Sequence, residues 1–232
     1  TVLPSRAAAR PGALAVPHKN LVAVGTMEPA IELWDLDIID SVECVATLSG
    51  PVDSDAANGL LVAATMDGHC WVLETATGAV VQTLRAHAKY VVAAAWTTPD
   101  EFATSSRDHT VCVWTRPARG EPFARRHTLD FPANVECLCV EHFGTSVAHE
   151  GEDDEKEEEE EDAPVLLACV RDDCWVHRLV LGRGRVRDER AFNVNGCDDE
   201  YVSFAVLAMS LDPAHGRLLC ASTDRDRLVV YD

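Results

Sequence analysis

Five stretches of this chain repeat one pattern. An apolar run ends, a short polar turn follows, and a second alternating run carries a key residue eight positions after the first run stopped. In "LVAVGTMEPAIELWDLDIID" the first run ends at Thr26 and Trp34 follows eight residues on. "LLVAATMDGHCWVLE" places Leu73 after Thr65 in the same way, and "EFATSSRDHTVCVWT" places Trp114 after Ser106. "VLLACVRDDCWVHRL" places Arg178 after Val170, and "RLLCASTDRDRLVVYD" places Tyr231 after Thr223. Two alternating runs joined by a tight polar turn form a β-hairpin, with Asp67-Gly68 supplying one such bend.

The key positions 34, 73, 114, 178 and 231 are spaced by 39, 41, 64 and 53 residues. The first two intervals fit the ~40–45 residues of a four-stranded propeller blade. The third contains an acidic run that accounts for its excess. The fourth is lengthened around "GRGRVRDERAFNVNGCDDE", where we expect a long outer strand or loop. Two further strands per blade lie between the hairpins, as in "AVVQTL" and "VVAAAW". The second is almost wholly apolar and suits an inner strand buried on both faces. The fold class is therefore all-β, a β-propeller with four to five four-stranded blades. Seven blades would need ~300 residues, so an incomplete propeller is expected. Residues 1–20 are expected to be a poorly ordered N-terminal segment, 21–232 to hold the blades, and 149–163 to be an acidic disordered loop inserted within one blade.

The pattern resembles WD-repeat β-propellers. The residues that carry the resemblance are Trp34-Asp35, Tyr231-Asp232 in the same place, and "RAH" ahead of an inner strand. In that family a His before the inner strand, a Ser or Thr in the next strand, an Asp in the turn and the Trp form one hydrogen-bonded set. The matching residues here are His87, Thr104, Asp108 and Trp114. Asp67 and Asp172 occupy the same turn position in blades without the Trp, so the set is complete once. His87, Thr104 and Asp108 can also be read as a hydrolase triad, but no GxSxG nucleophile elbow accompanies them. Glycine-rich phosphate loops are also missing. The resemblance implies a non-catalytic scaffold for protein complexes.

"VGTMEPAIELWDLDIID", residues 24–40, further resembles the corresponding segment of the periodic tryptophan protein 1 family. That likeness implies a nuclear or nucleolar protein of ribosome biogenesis or of chromatin-linked rRNA transcription. Alternatives are a cytoplasmic adaptor in trafficking or ubiquitination, and a propeller hydrolase with a metal in its central channel. The inner strands offer almost no carboxylates or His for such a metal.

Charge bears on the partner. The formal net charge is −19, which argues against a nonspecific grip on nucleic acid. Glu150 to Asp162 alone carries eleven acidic residues and one Lys. Like-charge repulsion keeps such a run disordered. Its residues Glu150, Glu152, Asp153, Asp154, Glu155, Glu157, Glu158, Glu159, Glu160, Glu161 and Asp162 are candidates for docking to a basic protein surface: a histone tail, a ribosomal protein or an assembly factor. A merely solvated loop is the competing reading. "RPARGEPFARRH", Arg116 to His127, is the one basic cluster and is read either as a phosphate contact or as an exposed loop. The nine Cys are an odd number in strand-like contexts, so we expect buried thiols rather than a disulfide framework. Cys137 and Cys139 share a strand face, yet no second pair completes a zinc site. No cofactor and no metal are expected. No run of 18 apolar residues suggests a membrane span.

Overall fold

A computed structural model describes residues 11–18, 21–26, 31–35, 60–64, 67–74, 79–142, 163–182, 184–196, 201, 204–212, 217–222 and 227–231. Among them are seventeen strands and no helix. In chain order they are β1 (Pro11–His18), β2 (Leu21–Thr26), β3 (Ile31–Asp35), β4 (Leu60–Ala64), β5 (His69–Glu74) and β6 (Val80–Arg85). Next come β7 (Val91–Thr98), β8 (Glu101–Ser106), β9 (Thr110–Thr115), β10 (Ala124–Asp130), β11 (Val135–His142) and β12 (Val165–Val170). The last are β13 (Trp175–Leu181), β14 (Val186–Asn193), β15 (Ala208–Asp212), β16 (Arg217–Ser222) and β17 (Arg227–Tyr231). They form five antiparallel meanders in which chain neighbours pair.

The chain divides into two compact units. Residues 1–65 with 69–85 hold the sheets β1–β2–β3 and β4–β5–β6. Residues 66–68 with 86–232 hold β7–β8–β9–β10, β11–β12–β13–β14 and β15–β16–β17. Four-stranded blades are thus described twice, and three sheets have three described strands. β1 also lies inside residues 1–20, which the sequence reading left outside the blades; it pairs with β2.

In the second unit the period-2 alternation of β12 divides the core. Leu166 and Ala168 point to one side, where they meet Ala103, Val111 and Val113 of β8 and β9. Leu167 and Cys169 point to the other, where they meet Phe204, Val206 and Cys220. Each fully buried aliphatic side chain contributes about 1.5–3 kcal/mol. Every residue of β8 and β12 is buried. The expectation that "VVAAAW" is buried on both faces is corrected: Val92 to Ala95 of β7 are only half-buried. β7 is a sheet-edge strand that packs on β11, whereas β8 and β12 have strands on either side and a neighbouring sheet over a face.

The long fourth interval contains β14, an eight-residue strand at the edge of its sheet. Between β14 and β15, Phe204 and Val206 are buried and join the core although neither lies in a strand. On β17, Leu228 and Val230 are 64% and 50% exposed.

Candidate functional site

The four residues matched to the WD-repeat set converge in the β7–β10 blade. Trp114 sits opposite Phe102 in the β8–β9 ladder, and its Nε1–H donates to Thr104 Oγ1 at 3.0 Å. The Thr104 hydroxyl donates to His87 Nε2 at 2.8 Å. His87 Nδ1 lies 3.2 Å from both Asp108 oxygens and 2.9 Å from Thr110 Oγ1. Asp108 Oδ2 accepts the Ala88 amide at 2.8 Å. Its Oδ1 accepts the Thr110 amide at 3.1 Å and the Thr110 hydroxyl at 2.7 Å. A neutral imidazole protonated on Nδ1 satisfies the whole row, each member donating to the next.

Burial holds His87 below the ordinary imidazole range, although the Asp108 carboxylate pulls the other way. Burial pushes the Asp108 carboxyl up. The Thr110 hydroxyl, the Ala88 amide and His87 outweigh it and hold that carboxyl below its usual range. Burial pushes the thiol of Cys112 up; it lies 4.0 Å from His87 Nδ1. Thr104 is fully buried, and its oxygen already accepts the indole. A hydroxyl so buried and so engaged is closed to an incoming substrate, which favours the structural reading of these residues over the hydrolase one.

The same places are filled differently in the next blade. The His87 amide donates to the Gly68 carbonyl at 2.9 Å, and Phe131 and Val194 make the equivalent bonds to His109 and Cys174, both at 2.8 Å. Phe131 therefore stands where His87 stands. Ala168 replaces Thr104, and Leu179, opposite Leu166 in its ladder, replaces Trp114. His177 replaces Cys112: its ring centroid lies 5.3 Å from that of Phe131, with the two planes at 88°. Its Nε2 lies 3.2 Å from Asp173 Oδ2 and its Nδ1 2.8 Å from Asp188 Oδ1. The imidazole–carboxylate contact is kept, but the ring comes from β13 instead of the preceding loop.

This corrects two assignments. The turn carboxylate of this blade is Asp173, whose Oδ1 accepts the Trp175 amide at 2.8 Å, just as Asp108 accepts that of Thr110. Asp172 is exposed and has the left-handed φ of 62°. The key residue is Leu179, not Arg178. The hairpin loop is one residue longer here, because Cys169 pairs with Val176 where Ser105 pairs with Val111. A fixed eight-residue offset slips by one.

Tyr231 occupies the Trp114 position in the last sheet, opposite Leu218. Its hydroxyl donates directly to the Val194 carbonyl at 2.5 Å, and its ring lies 4.8 Å from Phe192. Asp67 is in the exposed turn between β4 and β5. Trp34 and Asp35 end β3. Asp232 and the acidic residues Glu150 to Asp162 lie outside the described residues. By chain order those acidic residues fall between β11 and β12. Ala163, the last residue of the expected insertion, is buried against Val165 and Val180.

Arginines of the basic cluster are engaged within the fold. Arg116 pairs with Asp100 at 2.6 Å and lies over Phe123 at 5.1 Å. Arg125 lies over Trp114 at 5.0 Å and donates to the Ala86 carbonyl at 2.8 Å. Arg126 pairs with Glu101 and reaches the carbonyls of Leu181 and Gly182 in the next blade. Sequence reading missed this tie and His177, since neither follows a recurring offset. Among the described residues no group of three or more His, Cys, Asp or Glu is arranged to hold a metal.

Comparison with known proteins agrees with this geometry. Residues 78–115 match the family model "WD domain, G-beta repeat". Over 125 residues, 52% of this chain, the sequence is 29% identical to F-box/WD repeat-containing protein sel-10 of Caenorhabditis elegans. The match spans only 21% of that protein. A chain of the crystal structure of the mitotic checkpoint complex superposes with a TM-score of 0.66 at 17% identity, covering 96% of this chain and 62% of that one. The Cps50 (Swd1) β-propeller domain of Myceliophteria thermophila superposes with a TM-score of 0.62 at 11% identity, covering 92% and 67%. The fold is a β-propeller fold, and residues 78–115 are the stretch that matches a WD repeat.

Proposed function

We propose that this chain is a non-catalytic scaffold that assembles protein complexes, and that its acidic segment docks a basic protein surface. The observation that carries the first part is the spending of the one complete His–Thr–Asp set on hydrogen bonds within its own blade. The observation behind the second is the concentration of eleven acidic residues between two paired strands, where a long insertion need not disturb the ladder. The likeness of residues 24–40 to the periodic tryptophan protein 1 family supports a nuclear or nucleolar place of work, in ribosome biogenesis or chromatin-linked rRNA transcription. The partial likeness to an F-box/WD repeat protein favours a second reading, an adaptor in trafficking or ubiquitination.

Affinity purification from cell extract tests both. The intact chain and a chain lacking residues 149–162 are used as baits at low and moderate salt. Histones or ribosome-assembly proteins that bind the intact chain, and are lost on deletion or at higher salt, support the docking reading. Identical partners on both baits refute it, and their identity then selects between the nuclear and adaptor readings.

A further inference from the structure

We propose that Cys137 and Cys169 form a reversible cross-strand disulfide between β11 and β12 when the protein meets a peroxide. The two residues are direct partners in the β11–β12 ladder, and both side chains are buried in the same apolar cluster. Opposed side chains of antiparallel strands have Cβ atoms ~4.5–5.5 Å apart, and a disulfide needs about 3.5–4.5 Å. A small adjustment of the ladder closes the difference.

The surroundings single out this pair. Cys137, Cys139, Cys169, Cys174 and Cys220 belong to one apolar cluster. Cys174 is occupied as acceptor of the Asn193 amide at 3.5 Å. Cys220 lies on a different sheet, and Cys139 lies two residues along the same strand as Cys137 rather than across from it. The Cys169 thiol is 3.5 Å from Met209 Sδ and the Cys137 thiol 3.8 Å from the Val206 carbonyl. These weak contacts are readily given up.

The chemistry balances with peroxide as oxidant. One thiol loses its proton and attacks a peroxide oxygen. The O–O bond breaks, one water leaves, and that sulfur becomes a sulfenic acid. The second thiol attacks the sulfenic sulfur, the S–S bond forms and a second water departs. Two electrons pass from the sulfurs to the peroxide, and an external thiol reverses the bond. The neighbouring Cys137 thiol, together with burial, pushes the Cys169 thiol well up. Thiolate is therefore scarce at rest, and the reaction proceeds during local opening of β11 from β12, more slowly than at an exposed cysteine. The bond would lock β11 to β12 at the end of their ladder away from the insertion, beside the Val135–Val170 pair.

The test treats the full-length folded chain with hydrogen peroxide, alkylates the remaining thiols, and maps the digest by mass spectrometry. The expected product joins the Cys137 and Cys169 peptides, is two hydrogens lighter than the reduced pair, and disappears with dithiothreitol. It persists in C139S and C220S and is lost in C169S. Since a buried serine can itself unfold the core, C169A with an unchanged near-ultraviolet circular dichroism spectrum serves as the second variant. The oxidised wild type should also melt higher than the reduced one. The proposal is overturned if both cysteines stay open to alkylation while others couple. Linkage of the pair only after unfolding in urea overturns it equally.

Discussion

Gly68 and His87 meet backbone to backbone: the Gly68 carbonyl accepts the His87 amide at 2.9 Å, and a β-carbon on Gly68 would stand 2.3 Å from the His87 carbonyl oxygen. Gly68 also has φ +89°. Gly68→Ala should therefore combine left-handed strain with a clash against main chain. Gly120 shares the strain, with φ +88°, but has open space around it. Gly120→Ala should cost about 1–2 kcal/mol, and Gly68→Ala clearly more. Urea midpoints of the two variants give the order, and equal losses would contradict the close approach.

Thr104 is the pivot of the polar row, accepting from Trp114 and donating to His87. Thr104→Val leaves both groups buried without a partner, each costing ~1–3 kcal/mol. Thr104→Ser keeps the hydroxyl and should lose only about 1 kcal/mol with the methyl group. A comparison of the pair by denaturant unfolding separates hydrogen bonding from packing.

The lowered pKa of His87 predicts a pH dependence with a definite sign. The unfolded chain takes up the proton first, so stability rises with pH in this window. It is fully present above the unfolded value, about 6.5, and falls as the pH drops from there through the folded value. The depressed Asp108 adds a further loss below about pH 4. His87→Gln should flatten the loss just below pH 6.5. Midpoints measured from pH 5 to 8 check this, and parallel profiles in both proteins would assign the loss elsewhere.

Arg126 ties Glu101 to two carbonyls of the neighbouring blade, and Glu101 is buried. Removal of one member of a buried pair leaves the other uncompensated, at about 3–5 kcal/mol. Burial raises the Glu101 pKa, and Arg126 opposes the shift. Arg126→Met should therefore be costly at pH 7 and less so at acid pH, where Glu101 takes up a proton. A urea series for this variant at both pH values measures the difference.

The blades were legible because hairpins repeat and because His87, Thr104, Asp108 and Trp114 keep the family's spacing. The next blade was misread by one residue, since nothing in "VRDDCW" marks the extra loop position that puts Asp172 in the left-handed region and gives the turn role to Asp173. His177 was illegible for a different reason. Its place is defined by Phe131, in the loop before β11, and by Asp188 on the adjoining strand β14, and such contacts have no fixed separation along the chain. The burial of β7 was overread, because composition does not tell an edge strand from an interior one.

The bonds from His87, Phe131 and Val194 to the preceding turns are written in the main chain, and the side chains at those three places are an imidazole, a phenyl ring and an isopropyl group. Selection can thus erode the recognisable polar signature of a repeat without undoing the stitch that joins it to its neighbour. A lineage of such repeats would drift beyond detection by motif while its architecture persisted, and this chain holds one repeat that carries the signature beside one that does not.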